Sequence, residues 1–219
     1  MTRILYLHGF ASSPSSSKAR HFRKRLEDAG ARVDIPDLAA GDFAHLTITG
    51  QLAVVERAAA GDPISLIGSS MGGYLAALYA ARHPEVARAV LLAPAFGFAR
   101  RWAESLGPAR VEEWRRTGAM YVHHYGEGRD RKLGCQLIDD GASYEDYPDF
   151  HQPALIFHGA NDDVVPARYS EHFAATHPNA RLELVDSGHQ LLDVLDDITP
   201  RIVEFLKEEW PRMNTDKHG

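Results

Sequence analysis

A serine flanked by glycines lies in the stretch Gly68-Ser69-Ser70-Met71-Gly72. The stretch fits the G-x-S-x-G pattern of a nucleophile elbow, a sharp strand-to-helix turn that lifts a serine hydroxyl above the edge of a sheet. Only Ser70 has a glycine two residues before it and another two residues after it. Such a turn crowds these two flanking positions, so glycine is expected at Gly68 and Gly72. The pattern therefore predicts that Ser70 is a nucleophile for acyl transfer.

The residues on either side of this stretch predict the strand and the helix that the turn requires. The apolar run 64–67 is typical of a strand buried on both faces. After the turn, Leu75, Leu78 and Tyr79 recur at helical spacing with alanines between them. The N-terminus of this helix would point free N–H groups at the Ser70 hydroxyl, where negative charge develops during acyl transfer.

An activated serine needs a base, and the base needs a partner that orients it. Sites in open parallel sheets lie beyond the carboxyl ends of the strands, so the candidates are polar residues that directly follow a predicted strand. His189 follows the last predicted strand, and Asp162 and Asp163 follow the one before it. The order serine, aspartate, histidine is the one that accompanies the elbow motif. On these grounds both aspartates stay candidates for the acid.

Apolar strands alternate with amphipathic helices along most of the chain, which predicts a parallel sheet covered on both faces. We expect an α/β fold with an open, mostly parallel six-stranded sheet, built from the runs 3–8, 32–35, 64–67, 87–93, 154–158 and 181–185. The long segment 96–153 interrupts the alternation, and we interpret it as a lid-like insertion, with a surface excursion as the alternative. Within it, we predict a hairpin that pairs 120–125 with 132–137.

Together these motifs resemble the α/β-hydrolase family over nearly the whole chain, without the two leading strands of larger members. The opening stretch Leu7-His8-Gly9-Phe10-Ala11-Ser12-Ser13-Pro14, followed by Ser17-Lys18-Ala19, is similar to that of small bacterial esterases of the YqiA/YcfP-like branch. The resemblance to the larger family depends on four separate motifs in the right order. The resemblance to the branch depends mainly on the first twenty residues.

The resemblance also implies roles for individual residues. The acid of the family lies in a G-x-x-D-x-x-V stretch, which favours Asp162 over Asp163. The base of the family follows a glycine, as His189 does in this chain. The oxyanion donors of the family are the backbone N–H groups of the residue after the nucleophile and of the residue after a His-Gly pair. In this chain those residues are Met71 and Phe10.

We expect a serine hydrolase that cleaves carboxylic esters of small or medium acyl groups through an acyl-enzyme on Ser70, with no metal or organic cofactor. A thioesterase, a perhydrolase or a carbon–carbon bond hydrolase could use the same three side chains.

Four arginines of the insertion are expected to lie on a solvated helix face. The alternative is that they bind a phosphate or carboxylate of the substrate, coenzyme A included: Arg100, Arg101, Arg115 and Arg116. The alternative of another class is a catalytically silent binding protein on the same fold.

The other histidines carry no comparable pattern. His8 is expected to shape the loop that carries Phe10 rather than to act as the base. The adjacent His123 and His124 would point to opposite faces of a strand, which argues against a shared metal ion. No recognised metal-binding spacing occurs in the chain.

The composition limits which classes of partner and which cellular compartment are expected. The net charge of −6 at pH 7, with both signs interspersed, argues against nucleic acid or an anionic membrane as the main partner. The apolar run 4–7 is too short for a signal-peptide core, and the single Cys135 is compatible with a reducing compartment. We therefore expect a cytoplasmic protein with one domain over residues 1–219, a frayed tail at 211–219, and a small-molecule ester or thioester as substrate.

Overall fold

The computed structural model describes residues 3–208. Its strands are, in chain order, β1 (Arg3–Leu7), β2 (Arg32–Asp34), β3 (Ser65–Ser69), β4 (Arg88–Leu92), β5 (Met120–His124), β6 (Arg129–Leu133), β7 (Ala154–Gly159) and β8 (Ala180–Val185). Six of them form one sheet in the order β2-β1-β3-β4-β7-β8, and every pairing in it is parallel. The predicted six-stranded α/β sheet is confirmed. The predicted tail at 211–219 lies outside the described residues.

Helices cover both faces of the sheet. They are α1 (Ser17–Asp28), α2 (Ile48–Ala59), α3 (Met71–Arg82), α4 (Phe98–Leu106), α5 (Pro108–Thr117), α6 (Gln136–Gly141), α7 (Arg168–Thr176) and α8 (Leu195–Lys207). The buried residues of α1 and α8 share one apolar layer, and those of α2, α3 and α7 belong to the other. Across residues 3–208, every helix is too short or too polar to reach from one side of a bilayer to the other.

The strands are apolar on both sides, as β1 illustrates. Ile4 and Tyr6 belong to the layer of α1 and α8, whereas Leu5 and Leu7 belong to the opposite layer. This division follows from the strand itself, since successive side chains point to opposite faces. Parallel strands also bring all their carboxyl ends to one edge of the sheet. The loops that follow β1, β3, β7 and β8 therefore meet at that edge.

The insertion between β4 and β7 contains α4, α5, the antiparallel hairpin β5–β6 and α6. The predicted hairpin is correct in its first strand and wrong in its second, because the chain returns earlier than predicted. The backbone N–H groups of Glu127 and Gly128 both donate to the His124 carbonyl, which closes a tight turn. The second strand therefore spans Arg129–Leu133 instead of 132–137.

The insertion is packed into the main core rather than attached at its edge. Trp114 is 2% exposed, and its indole Nε1–H donates to the Leu133 carbonyl at 2.8 Å. Trp114, Leu137 and Phe150 belong to the same apolar cluster as Leu75 of α3. The Gly134 N–H also donates to the Ala44 carbonyl, outside the insertion. Movement of this segment as a lid stays a prediction.

Because its core is continuous with that of the sheet, the insertion should unfold together with the rest of the protein. We predict that Trp114→Ala lowers the free energy of unfolding by about 3–5 kcal/mol, measured by urea denaturation with far-ultraviolet circular dichroism. The control is Tyr121→Ala in the same insertion, which removes a ring that is 64% exposed and should change stability by about 0.5 kcal/mol or less. An unchanged main transition in Trp114→Ala would mean that the insertion is an independent unit.

Candidate active site

Ser70 occupies the sharp turn between β3 and α3, with backbone angles of φ 54° and ψ −116°. A positive φ is strained for any residue other than glycine, and such strain is concentrated at functional sites. The Ser70 N–H donates to the Leu92 carbonyl at 2.8 Å, and the Ser70 carbonyl accepts from Ala95 at 3.0 Å. These bonds to β4 and the residues after it hold the turn in its strained shape.

The glycines on either side of Ser70 are required by the path of the backbone. A β-carbon on Gly68 would overlap the Gly72 carbonyl, so the two arms of the turn could not approach as they do. A β-carbon on Gly72 would overlap the carbonyls of Leu7 and His8, at the end of β1. The predicted crowding is present, and it extends to the neighbouring strand.

His189 lies next to the Ser70 hydroxyl. Its Nε2 is 3.0 Å from Ser70 Oγ, and its Nδ1 is 2.7 Å from Asp162 Oδ2. An ionised carboxylate can only accept, so Nδ1 carries the proton and donates it to Asp162. Nε2 is then free to accept the hydrogen bond of the serine hydroxyl. The structure thus joins residues from three separate loops into one chain of hydrogen bonds.

The loop that carries His189 is fixed against the end of β7. Gly159 allows this contact, because a β-carbon there would overlap the carbonyls of Ser187 and Gly188. The Asn161 side chain donates to Asp186 at 2.8 Å, which ties the loop after β7 to the loop after β8. The backbone N–H of Asn161 also donates to the Ser187 carbonyl at 3.0 Å, so the close approach at Gly159 and these bonds together fix the acid loop against the base loop.

The Asp162 carboxylate is buried and fully engaged. Oδ1 accepts from the backbone N–H groups of Val164 and Val165 at 2.9 and 2.8 Å. Oδ2 accepts from His189 and also lies 3.1 Å from His158 Nε2. Burial raises the pKa of Asp162, but the hydrogen bonds from His158, His189 and Val165 outweigh it and hold the pKa well below its ordinary value.

His158 is a contributor that the sequence analysis missed. This residue of β7 is fully buried, and its Nε2 also lies 2.7 Å from the Val165 carbonyl, which requires a proton on Nε2. Nδ1 then accepts from the Ser170 hydroxyl at 2.7 Å. The available signal was its place at the end of a strand, immediately before the glycine of the acid motif. Asp163, by contrast, is exposed, and the carboxylate that contacts His189 belongs to Asp162.

The two predicted oxyanion donors lie beside Ser70. Met71 follows it at the start of α3, and Gly9, just before Phe10, is close enough that a β-carbon there would be 3.5 Å from Ser70 Cβ. Within residues 3–208, the N–H groups of Phe10 and Met71 donate to no other backbone group outside the regular helix and strand bonds. The role of these two N–H groups as oxyanion donors stays a prediction.

His8 holds the loop that carries Phe10. Its Nε2 accepts from the Leu38 N–H at 3.3 Å, so Nδ1 carries the proton and donates to the Gly9 carbonyl at 3.0 Å. Burial lowers the pKa of His8, which keeps this ring neutral. Neither ring nitrogen hydrogen-bonds to Ser70, and the ring shapes the loop through its two backbone partners.

The Phe10 side chain forms an aromatic cluster with the insertion. Its ring centroid lies 6.0 Å from that of Phe98 and 5.2 Å from that of Trp102, both on α4. All three rings are partly exposed. Because the Phe10 backbone lies beside Ser70, this cluster supplies apolar surface close to the nucleophile.

The four arginines of the insertion differ in their partners. Arg100 pairs with Asp146 and Glu104, Arg115 with Asp139, and Arg116 with Glu113. Arg101 donates to the carbonyls of Phe96 and Val164, and its guanidinium lies 4.4 Å from the centre of the Tyr169 ring. Three of the four charges are therefore already balanced by carboxylates of the protein.

The sequence profile described as "Uncharacterised protein family (UPF0227)" matches residues 3–207. The chain belongs to this family. A curated relative, the poly(3-hydroxyalkanoate) depolymerase of Ectopseudomonas oleovorans, is 26% identical over 178 residues, which are 68% of this chain. The chain spans 62% of the length of that relative.

Solved structures show the same fold. A putative hydrolase from Agrobacterium vitis S4 superposes with a TM-score of 0.82 at 23% identity, covering 94% of this chain and 88% of the other. Est1E from Butyrivibrio proteoclasticus, in a structure with bound ferulic acid, gives a TM-score of 0.73 at 21% identity, with the chains covered to 94% and 88%. The chain therefore has the α/β-hydrolase fold.

The depressed pKa of Asp162 makes its contribution to stability depend on pH. A carboxyl whose folded pKa lies below its unfolded value of about 3.9 stabilises the fold above that value, and this stabilisation is lost as the pH falls through the folded pKa. We predict that the deficit in unfolding free energy of Asp162→Asn relative to wild type is larger at pH 7 than at pH 3, measured by urea denaturation. Asp163→Asn is the matched control and should show a small deficit at both values. An equal deficit of Asp162→Asn at pH 7 and pH 3 would contradict the account.

Proposed function

We propose that this protein is a serine hydrolase that cleaves carboxylic esters of small or medium acyl groups through an acyl-enzyme on Ser70. The observation that carries the proposal is the continuous hydrogen-bond chain from Ser70 Oγ through His189 to Asp162, with distances of 3.0 and 2.7 Å. These distances lie within the range that proton transfer between a nucleophile and its base requires. The strained backbone of Ser70 supports the same assignment.

In the first half of the reaction, Ser70 Oγ attacks the acyl carbon while His189 Nε2 takes the hydroxyl proton. The carbonyl oxygen becomes an oxyanion that accepts hydrogen bonds from the backbone N–H groups of Phe10 and Met71. One such donor contributes about 2.7–4 kcal/mol of transition-state stabilisation. His189 then gives its proton to the leaving alcohol oxygen, and the acyl group stays on Ser70.

In the second half, His189 takes a proton from water, and the resulting hydroxide attacks the acyl carbon. A second oxyanion forms in the same position and collapses, which releases the carboxylic acid, and the proton returns to Ser70. Asp162 keeps Nδ1 of His189 protonated and stabilises the imidazolium that forms in each half. None of these steps requires a metal ion or an organic cofactor.

The comparisons support an ester as the bond that is cleaved. A poly(3-hydroxyalkanoate) is a polyester, so the related depolymerase acts on carboxylic ester bonds. Est1E has bound ferulic acid, a carboxylic acid of moderate size. The partly exposed rings of Phe10, Phe98 and Trp102 offer an apolar surface for an acyl group of similar size.

A thioesterase, a perhydrolase or a carbon–carbon bond hydrolase is the alternative with the same three side chains. The insertion arginines give little support for a coenzyme A thioester as the substrate, because Arg100, Arg115 and Arg116 already pair with carboxylates of the protein. A catalytically silent binding protein is disfavoured, since it has no need of a strained serine aligned with a histidine and a buried aspartate.

A fluorophosphonate probe tests the proposal, because it reacts covalently with an activated serine far faster than with an ordinary hydroxyl group. We predict one label per chain of the wild-type protein, located on Ser70 by peptide mass spectrometry, and no label on Ser70→Ala. Ser105→Ala, which removes an exposed hydroxyl on α4, is the control and should be labelled like the wild type. Folded wild-type protein that resists the probe would favour the binding-protein alternative.

A further inference from the structure

A buried lysine lies directly behind the nucleophile turn, and the mechanism above does not use it. Lys18, at the start of α1, is only 7% exposed. Its ammonium group donates to the Ser69 hydroxyl at 3.0 Å, in a contact that is itself buried. A buried charge is costly unless it is paired, and lysine is among the residues least often found buried. In the sequence, Lys18 belongs to the opening stretch that resembles the esterase branch, and no pattern there predicts a role for it.

Within the described part of the chain, the charge of the Lys18 ammonium group is not neutralised by a direct ion pair with a carboxylate. Among residues 3–208, no carboxylate lies within 4.0 Å of its ammonium group. Its ammonium group donates to the Ser69 hydroxyl on β3, and the Asp162 carboxylate after β7 acts on it from a greater distance. Burial lowers the pKa of Lys18 to about 8, and the negative charge of Asp162 acts in the opposite direction. The Asp162 charge therefore favours the protonated form of Lys18 and partly offsets the effect of burial.

The contact joins two parts of the site that must be aligned. Ser69 immediately precedes Ser70, so whatever fixes Ser69 fixes one arm of the strained turn. Lys18 is the second residue of α1, directly after the loop 8–16, which carries the Phe10 N–H and leads from β1 into α1. The other end of this loop is held by His8. The bond from Lys18 to Ser69 therefore fixes the far end of the oxyanion loop to the nucleophile turn.

We propose that Lys18 is a positioning residue of this site, which holds the Ser70 turn and the Phe10 loop in a fixed relation and brings a buried ammonium group next to Ser69. The inference rests on the proposed hydrolase function. An interaction of this kind acts on the transition state, because both the alignment of the donors and the charge favour the oxyanion over the neutral ester. Binding of the neutral ester before the reaction depends much less on this interaction.

Lys18→Met tests the proposal, since it removes the charge and the donor but keeps an unbranched side chain of similar length. We predict that kcat for a p-nitrophenyl ester falls about 10- to 100-fold, the usual scale for a lost hydrogen bond to a charged group, while KM changes by less than about twofold. The rate of fluorophosphonate labelling of Ser70 should fall in parallel. The melting temperature should stay equal to or above that of the wild type, because an unpaired buried charge is replaced by an apolar group.

The matched control is Lys24→Met on the same helix, which removes an exposed lysine that pairs with Asp28 and should keep wild-type kcat. If Lys18→Met does not fold, Ser69→Ala breaks the same contact from the other side and should lower kcat on the same scale. Wild-type kcat in a folded variant of either kind would overturn the role of Lys18. Failure of the wild-type protein to react at Ser70 would instead overturn the proposed function, so the two failures are distinguishable.

Discussion

The candidate site depends on close contacts between backbone segments at the carboxyl edge of the parallel sheet. Gly72 lies against the carbonyls at the end of β1, Gly68 lies against Gly72, and Gly159 lies against the loop that carries His189. A β-carbon at any of the three would overlap backbone atoms, which cannot move aside as a flexible side chain can. Because these contacts are satisfied together, the loops after β1, β3, β7 and β8 meet at one edge of the sheet, where Asp162 contacts His189 and His189 contacts the Ser70 hydroxyl.

The convergence of these loops buries charged side chains, and the hydrogen bonds of those side chains determine the electrostatics of the site. Asp162 is removed from water, and it stays ionised because two histidines and two backbone N–H groups donate to it. The arrangement gives Asp162 a negative charge that can stabilise a protonated His189. Lys18 provides a buried ammonium group in contact with Ser69, the residue before the nucleophile. Among the described residues, this ammonium group forms no direct ion pair with Asp162.

The parts of this arrangement that short motifs encode could be predicted from the sequence. The six strands, the glycines around Ser70 and the position of His189 follow from local patterns, whereas the choice of Asp162 over Asp163 needed the family resemblance. The second strand of the hairpin could not be placed, because its register depends on the turn that closes onto His124. Lys18 and His158 were missed for a different reason, since each lies in a polar or strand-end context that has many ordinary explanations. Only the packing of α1 on β3, and of the loop after β7 on its own strand, reveals their contacts.

The central claim is that Ser70 carries the acyl group during turnover. The most direct measurement is a rapid-quench reaction with p-nitrophenyl acetate, which records released p-nitrophenol and the mass of the Ser70 peptide in the same samples. The account predicts a burst of about one p-nitrophenol per chain, with an acetyl group on Ser70 that appears during the burst and disappears as substrate is exhausted. Steady turnover with no acetyl group on Ser70 at any time would contradict it.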